Sequence, residues 1–248
     1  LNLEATFYQK NISDLLQQRT LTPGTGFTQL FFNGGDLRTP GIELAGTVVA
    51  FEGPGFNWRT RASITGNRCT ITALDVPPYG STAFLNGNTF GRIFTEVGKS
   101  CRQITGNDTI ADGSTITNVH IGDANPHYNW TWSHDFRFKS LYLSGLLDGQ
   151  KGGALINVTQ LLYDLTGVSP DQLAPRKKGE LSGNQRAAAF GRTARTYVQY
   201  ISFVKLREVT LGYEVPRAYL DRFSRGATAR LSLCGRKRYI SNKFIIIR

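Results

Sequence analysis

The sequence has no methionine, nine prolines among its 248 residues, three cysteines, and no apolar run near the roughly 18 residues that a membrane-spanning helix needs. The missing run excludes a transmembrane helix, and the opening is not the basic-then-apolar pattern of a secretory signal. Neither test bears on a β-barrel, whose lipid face is built from every second residue. The lack of methionine and the abrupt LNLEATFYQK opening are expected of a fragment or a processed product. Cys69, Cys101 and Cys234 are an odd number without metal-ligand spacing, which argues against a disulfide framework or a zinc site. Acid is scarce relative to base, giving a formal net charge of +11. The excess sits in the last third, where residues 171–248 hold 17 Lys and Arg against 5 Asp and Glu. Arg230, Arg236 and Arg238 are separated by even steps, as on one face of a strand meeting water or a polar lumen. The excess is therefore read as strand-face arginine, with no nucleic acid as partner.

What is abundant is alternation. From Tyr128 to Phe138, Tyr128, Trp130, Trp132, His134, Phe136 and Phe138 share one face, and Asn129, Thr131, Ser133, Asp135 and Arg137 the other. That period of two is a strand signature. It resumes at Leu141, Leu143 and Leu147 after a very short turn at Lys139 and Ser140, which predicts a hairpin. Further strands are expected over residues 1–10 with Leu3, Ala5 and Phe7 on one side, and over 41–51 with Ile42, Leu44, Val48 and Ala50 on the apolar side. Another has Trp58, Ala62 and Ile64 opposite Arg59, Arg61, Ser63 and Thr65. The last hairpin places Val209, Leu211 and Tyr213 in one arm and Ala229, Leu231 and Leu233 in the other. Shorter strand-like pieces fall near 101–105 and 117–121, and residues 156–167 suit a short helix.

A greasy face opposite a polar one fits either a soluble sandwich or a transmembrane barrel. The connections separate the two. Long ones, over about 11–35, 75–126 and 148–195, alternate with tight turns near Pro54, Lys139 and Ser224. Barrels of the outer membrane sort their loops in this way, long ones outside and short ones in the periplasm. A sandwich has no reason to do so.

Other motifs carry less. DGQKGG at 148–153 lacks the order of a phosphate loop and reads as a turn. His120, His127 and His134 recur every seven residues, a spacing that alternates faces along a strand and does not gather a metal. Asp135 and Arg137 share a face and are expected to pair. Asn11, Asn107, Asn129 and Asn157 begin N-x-[ST] triplets of the kind chance supplies. No catalytic, cofactor-binding or metal-binding residue is singled out, and no cofactor is expected.

Three stretches carry a family resemblance. GDANPHYNWTWSHDFRFKSLYLSGLLDGQKGGALINVTQLLYD resembles the C-terminal half of SusC/RagA-type TonB-dependent outer-membrane transporters. So do ISFVKLREVTLGYEVP with ARLSLCGRKRYISNKF, and the earlier TGFTQLFFNGGDLRTPGIEL, in which Asn33, Gly35, Gly41, Glu43 and Leu44 fit the pattern and Thr39 departs from it. Lys237 and Arg238 stand where the family has Asn and Leu, and no stretch resembles the plug domain. The resemblance implies an all-β fold: a partial antiparallel transmembrane β-barrel, an open curved sheet with long extracellular loops. Residues 1–248 would be the C-terminal part of a barrel of about 22 strands, the plug lying outside them. It further implies a bacterial outer-membrane location and active, non-enzymatic uptake of a glycan or peptide. Its partners would be a SusD-like lipoprotein, the TonB complex acting through the missing N-terminal region, and membrane lipid. Ligand contacts are expected in the connections 11–34 and 75–126. The alternative is a soluble β-sandwich module that binds carbohydrate.

Overall fold

The computed structural model describes residues 1–80, 87–220 and 228–241. The chain runs through β1 (Asn2–Ile12), β2 (Leu16–Thr20), β3 (Gln29–Asn33), β4 (Asp36–Glu52), β5 (Phe56–Asn67), β6 (Thr70–Ala73), β7 (Tyr79–Gly80), β8 (Arg92–Thr95), β9 (Gln103–Thr109) and β10 (Thr115–Asp123). It continues with β11 (Tyr128–Phe138), β12 (Leu141–Lys151), β13 (Ala154–Ile156), α1 (Val158–Thr166), α2 (Gly183–Ala189), β14 (Val198–Tyr200), β15 (Phe203–Val215) and β16 (Ala229–Ser241). The main sheet is antiparallel in the order β1-β4-β5-β11-β12-β15-β16, with β6 paired to β4. β1 and β16 do not pair with each other, so the sheet is open. None of the described helices is long and apolar enough to cross a membrane, which says nothing about crossing by strands.

Register decides which side chains share a face. Leu3 lies opposite Gly46, Gly46 opposite Ala62, Ala62 opposite Trp132, Trp132 opposite Leu147 and Leu147 opposite Leu206. Nearer the tight turns, Phe51, Trp58, Phe136, Leu143, Leu211 and Leu233 form a parallel row. Trp130, Trp132, Leu211 and Leu231 therefore stand on one side, as the alternation requires. That side is open: Trp132 is 44% exposed, Leu211 49%, Leu231 66% and Leu233 76%. These residues are not the shared core of two packed sheets, which is what the sandwich reading needs. Glycines let the largest rings lie flat across the sheet. A Cβ at Gly149 would fall 2.2 Å from Trp130 Cε2, so the indole occupies the space that any other residue there would fill.

The connections are sorted. Lys139 N–H donates to Gly55 O at 2.9 Å, so the β4–β5 and β11–β12 turns touch at one end. The ends of the β15–β16 connection, Val215 and Ala229, pair at that same end, although Ser224 itself is outside the described residues. The three long connections leave from the other end. Connection 11–35 is more structured than a polar linker, because β2 and β3 pair within it as a hairpin. Connections 68–127 and 152–202 join in one layer. Ile104, Ile121, Ala154 and Ala194 form its small core, and Asn107 Nδ2 donates across it to Gly191 O at 2.9 Å.

Two expectations from spacing are corrected. The β4–β5 register slips between Val49 and Phe51, so Ala50 is the extra residue of a bulge and Phe51 takes the apolar side opposite Trp58. Cys69 and Cys101 are joined by a disulfide, their Cα atoms 5.6 Å apart, while Cys234 is free. The pair is brought together because Ile71 and Gly98 form a backbone hydrogen bond beside it and Thr70 bridges Ser100, contacts that no sequence spacing reveals.

Candidate functional site

Two surfaces have the chemistry to meet a solute: the polar face of the sheet and the layer of long connections above one end of it. The strand period sets the first. With the apolar residues committed to one side, Glu4, Arg61, Ser63, Thr131, Asp135, Arg137, Asp148, Glu208, Glu214, Arg230 and Arg236 are left on the other, and they are tied across strands. Arg61 reaches Glu4 at 3.4 Å, Arg207 reaches Asp148 at 2.6 Å, and Arg236 reaches Glu208 at 3.1 Å. Ser63 and Thr131 hydroxyls are 2.7 Å apart. Arg207 is the extra residue of a bulge between Leu206 and Glu208, which brings its guanidinium to the polar side. Of the even-spaced arginines, Arg230 and Arg236 stand on the polar face of the strand, as their spacing suggested, and each meets a carboxylate there.

The expected Asp135–Arg137 pair does not form among the described contacts. Neighbours on one strand face point the same way and are further apart than cross-strand partners. Arg137 instead reaches Glu214 at 2.6 Å, and Arg230, whose guanidinium lies over the Tyr142 ring, pairs with the same carboxylate. These groups, with Arg59 and Asp135, line a hollow of about 340 Å³ towards the tight-turn end.

His120 lies in β10, His127 just ahead of β11 and His134 within β11, and among the described residues there is no group of three His, Cys, Asp or Glu placed to hold a metal. His134 lies on the apolar side, where Trp58 Nε1–H donates to its Nδ1 at 3.3 Å. Of the DGQKGG stretch, read from the sequence as a turn at the start of a long connection, Asp148–Lys151 instead continue β12, paired to β11 and β15, and only Gly152 and Gly153, at φ 76° and 90°, leave the strand. Asn157 caps α1, its side chain accepting from Gln160 N–H at 2.9 Å, and Gly167 ends the helix at φ 76°.

The layer of long connections is held by ion pairs that the sequence reading did not anticipate. Arg186 on α2 is buried. Its Nε donates to Asp164 Oδ2 at 2.7 Å, its Nη2 to Asp164 Oδ1 at 2.8 Å and to Asp171 Oδ1 at 2.9 Å, and its Nη1 to Asp171 Oδ2 at 3.1 Å. Ser169 donates its hydroxyl to Asp164 as well. Burial works to raise the Asp164 pKa, but the Arg186 guanidinium and the Ser169 hydroxyl outweigh it and hold the carboxyl below its usual range. Arg186 holds Asp171 low in the same way, and the two carboxylates raise Arg186 in turn. Burial, then the Asp164 charge, push the buried Tyr197 phenol up. A capping box, Ser182 with Gln185, starts α2 and aims Arg186 at α1. That S-x-x-Q signal was visible in the sequence; its ionic partners 15 and 22 residues upstream were not. A second tie, Arg195 to Asp108 at 2.8 Å, joins 152–202 to 68–127.

No protein-family model matches the chain. A curated relative, the TonB-dependent receptor P3 of Formosa agariphila, is 22% identical over 265 residues, covering 90% of this chain and 26% of its own length. Among solved structures, the RagAB peptide importer in its closed-closed state superposes with a TM-score of 0.72 at 17% identity, over 98% of this chain and 30% of that one. The RagAB peptide transporter gives 0.72 at 18% identity, and the open-open state of the importer 0.69 at 17%, again over 98% of this chain. The chain spans between about a quarter and a third of the proteins it is similar to. The resemblance carried by the three sequence stretches is borne out: the chain has the fold of part of a SusC/RagA-type TonB-dependent transporter.

Proposed function

We propose that these residues form the C-terminal part of the barrel of an outer-membrane active transporter that takes up a glycan or a peptide. One observation carries this reading: an apolar sheet face left open to its surroundings is backed by an ion-paired polar face, on strands whose long connections all leave from one end. In a bilayer the first face meets lipid and the second lines a water-filled path. The disulfide between Cys69 and Cys101 suits a protein assembled in an oxidising compartment. The similarity to a TonB-dependent receptor supports energy delivered by TonB through a plug outside these residues. The similarity to the two-component RagAB supports a SusD-like lipoprotein resting on the layer of long connections. The soluble sandwich has no observation in its favour, since the side that would be its core is uncovered.

The test is cysteine labelling in the full-length transporter in cells. A cysteine at Leu211 is expected to react with membrane-soluble maleimide and resist a charged one, while one at Thr131 does the reverse. Equal reaction of both with the charged reagent, or recovery of the protein in the soluble fraction, would overturn the membrane reading.

A further inference from the structure

The loop between α1 and α2 is closed at its base and cationic at its tip. Gly183 N–H donates to Asp171 O at 2.9 Å and Asn184 N–H to Gln172 O at 3.0 Å, which brings the two ends of the loop together. Arg186 fastens the base from below through Asp171 and through the Leu181 carbonyl. Compact surface loops of this kind, with adjoining ends, are frequently functional. Between these ties every residue from Leu173 to Glu180 is exposed, and Arg176, Lys177 and Lys178 stand in succession. Glu180 is the one acid among those exposed residues. Arg176 comes no nearer than 4.0 Å to Asp171, whose oxygens Arg186 already occupies, and it is 64% exposed. No ion pair is formed by Lys177 or Lys178 among the described residues. This differs from the polar sheet face, where Arg137, Arg207, Arg230 and Arg236 each have a carboxylate.

We propose that this tip is a contact site for a polyanionic solute, a glycan carrying a uronate or sulfate on its repeating units. The assignment rests on the uptake reading above and narrows its substrate class. Lysine is a strongly hydrated point charge on a flexible stem, unlike the fixed fork with which arginine reads a single carboxylate. Two such charges beside an arginine, on a rigid base and at the end where the long connections gather, suit a ligand that repeats its charge. They do not select one anionic group by shape. Uncompensated charge at a surface raises the local concentration of the opposite charge and speeds encounter, an effect that salt screens.

The experiment uses the full-length transporter with its lipoprotein partner, as wild type, as R176Q/K177Q/K178Q and as E180K. Polygalacturonate is the anionic probe, dextran the neutral one and polyglutamate the acidic peptide. Wild type is expected to bind polygalacturonate with an affinity that falls as salt rises. The triple variant should bind it about tenfold more weakly with a flatter salt dependence, E180K should bind it more tightly, and dextran binding should not move. None of the altered side chains makes a close contact at the base of the loop, so both variants should melt as wild type does. Equal binding of polygalacturonate by the triple variant and wild type would overturn the proposal. So would a cation dependence seen with polyglutamate alone. A transporter found outside the membrane would refute the uptake reading instead, and the binding comparison would still stand on its own.

Discussion

Arg186 is a charge placed where little water reaches it, and the reason it can stay there is that both of its neighbours are carboxylates with no better partner. Such a pair is poor evidence of net stability, but removing one member strands the other. Arg186→Ala leaves the buried Asp164 carboxylate uncompensated and should destabilise the α1–α2 layer by about 3–5 kcal/mol. The measurement is hydrogen exchange of the full protein, with protection lost in residues 158–190 and kept in β11 and β12. The acid limb follows from the same groups. Asp164 and Asp171 have folded pKa values below their unfolded ones. Their contribution is therefore fully present above about pH 4, the ordinary aspartate range, and is lost as pH falls through the lower folded values. Protection of the layer should be flat from neutral pH down to about 5 and then fall, and Asp164→Asn should remove most of that fall. Protection that already declined between pH 7 and 6 would show that these two carboxylates do not set the acid limb.

Among the elements, β11 was fully legible and β12 as far as Leu147, because period-two alternation leaves one face to choose and a two-residue connection fixes the hairpin partner. The last four residues of β12, Asp148–Lys151, read as connection because Gly149 and the polar side chains beside it interrupt the apolar pattern. The same logic fixed the apolar sides of β1, β5, β15 and β16. It failed at Ala50, where a bulge inserts one residue and the alternation slips, and periodicity alone does not mark a bulge. It also missed the Cys69–Cys101 link and the Arg186 network, since both depend on connections folding back over long sequence distances. Face assignment yields a direct comparison. Leu211→Arg puts a cation on the apolar side, where the cost falls from about 2–4 kcal/mol at the middle of a bilayer to about 0–1 kcal/mol at its surfaces. At this row, towards the tight turns, it should lie between the two, while Thr131→Arg on the polar side should cost little. The readout is the heat-modifiable folded band of the full-length protein in outer-membrane preparations. It is expected to be depleted for Leu211→Arg alone; equal depletion for both would show that the two faces do not differ in environment.

At the scale of the whole molecule, the decisive property is that the sheet is open. Its seven-strand path ends at β1 on one side and β16 on the other, and each presents a row of backbone groups that hydrocarbon cannot satisfy. The conflict is sharp because the apolar side, with Phe7 74% and Leu233 76% exposed, extends to both of those edge strands. Water is therefore a poor medium for the face and lipid a poor one for the edges. A closed circuit of paired strands resolves both at once, and the chain's span of 30% of a RagAB importer chain leaves ample length elsewhere in such a protein to supply it. Residues 1–248 produced alone should accordingly aggregate in water, show no heat-modifiable band after refolding into detergent, and fail to carry oligosaccharides or peptides into liposomes. Supplying the remaining strands on a second polypeptide should rescue the band if edge pairing is what is missing. A stable, solute-conducting barrel formed by these residues alone would mean that β1 and β16 can close on each other, contrary to the open sheet described.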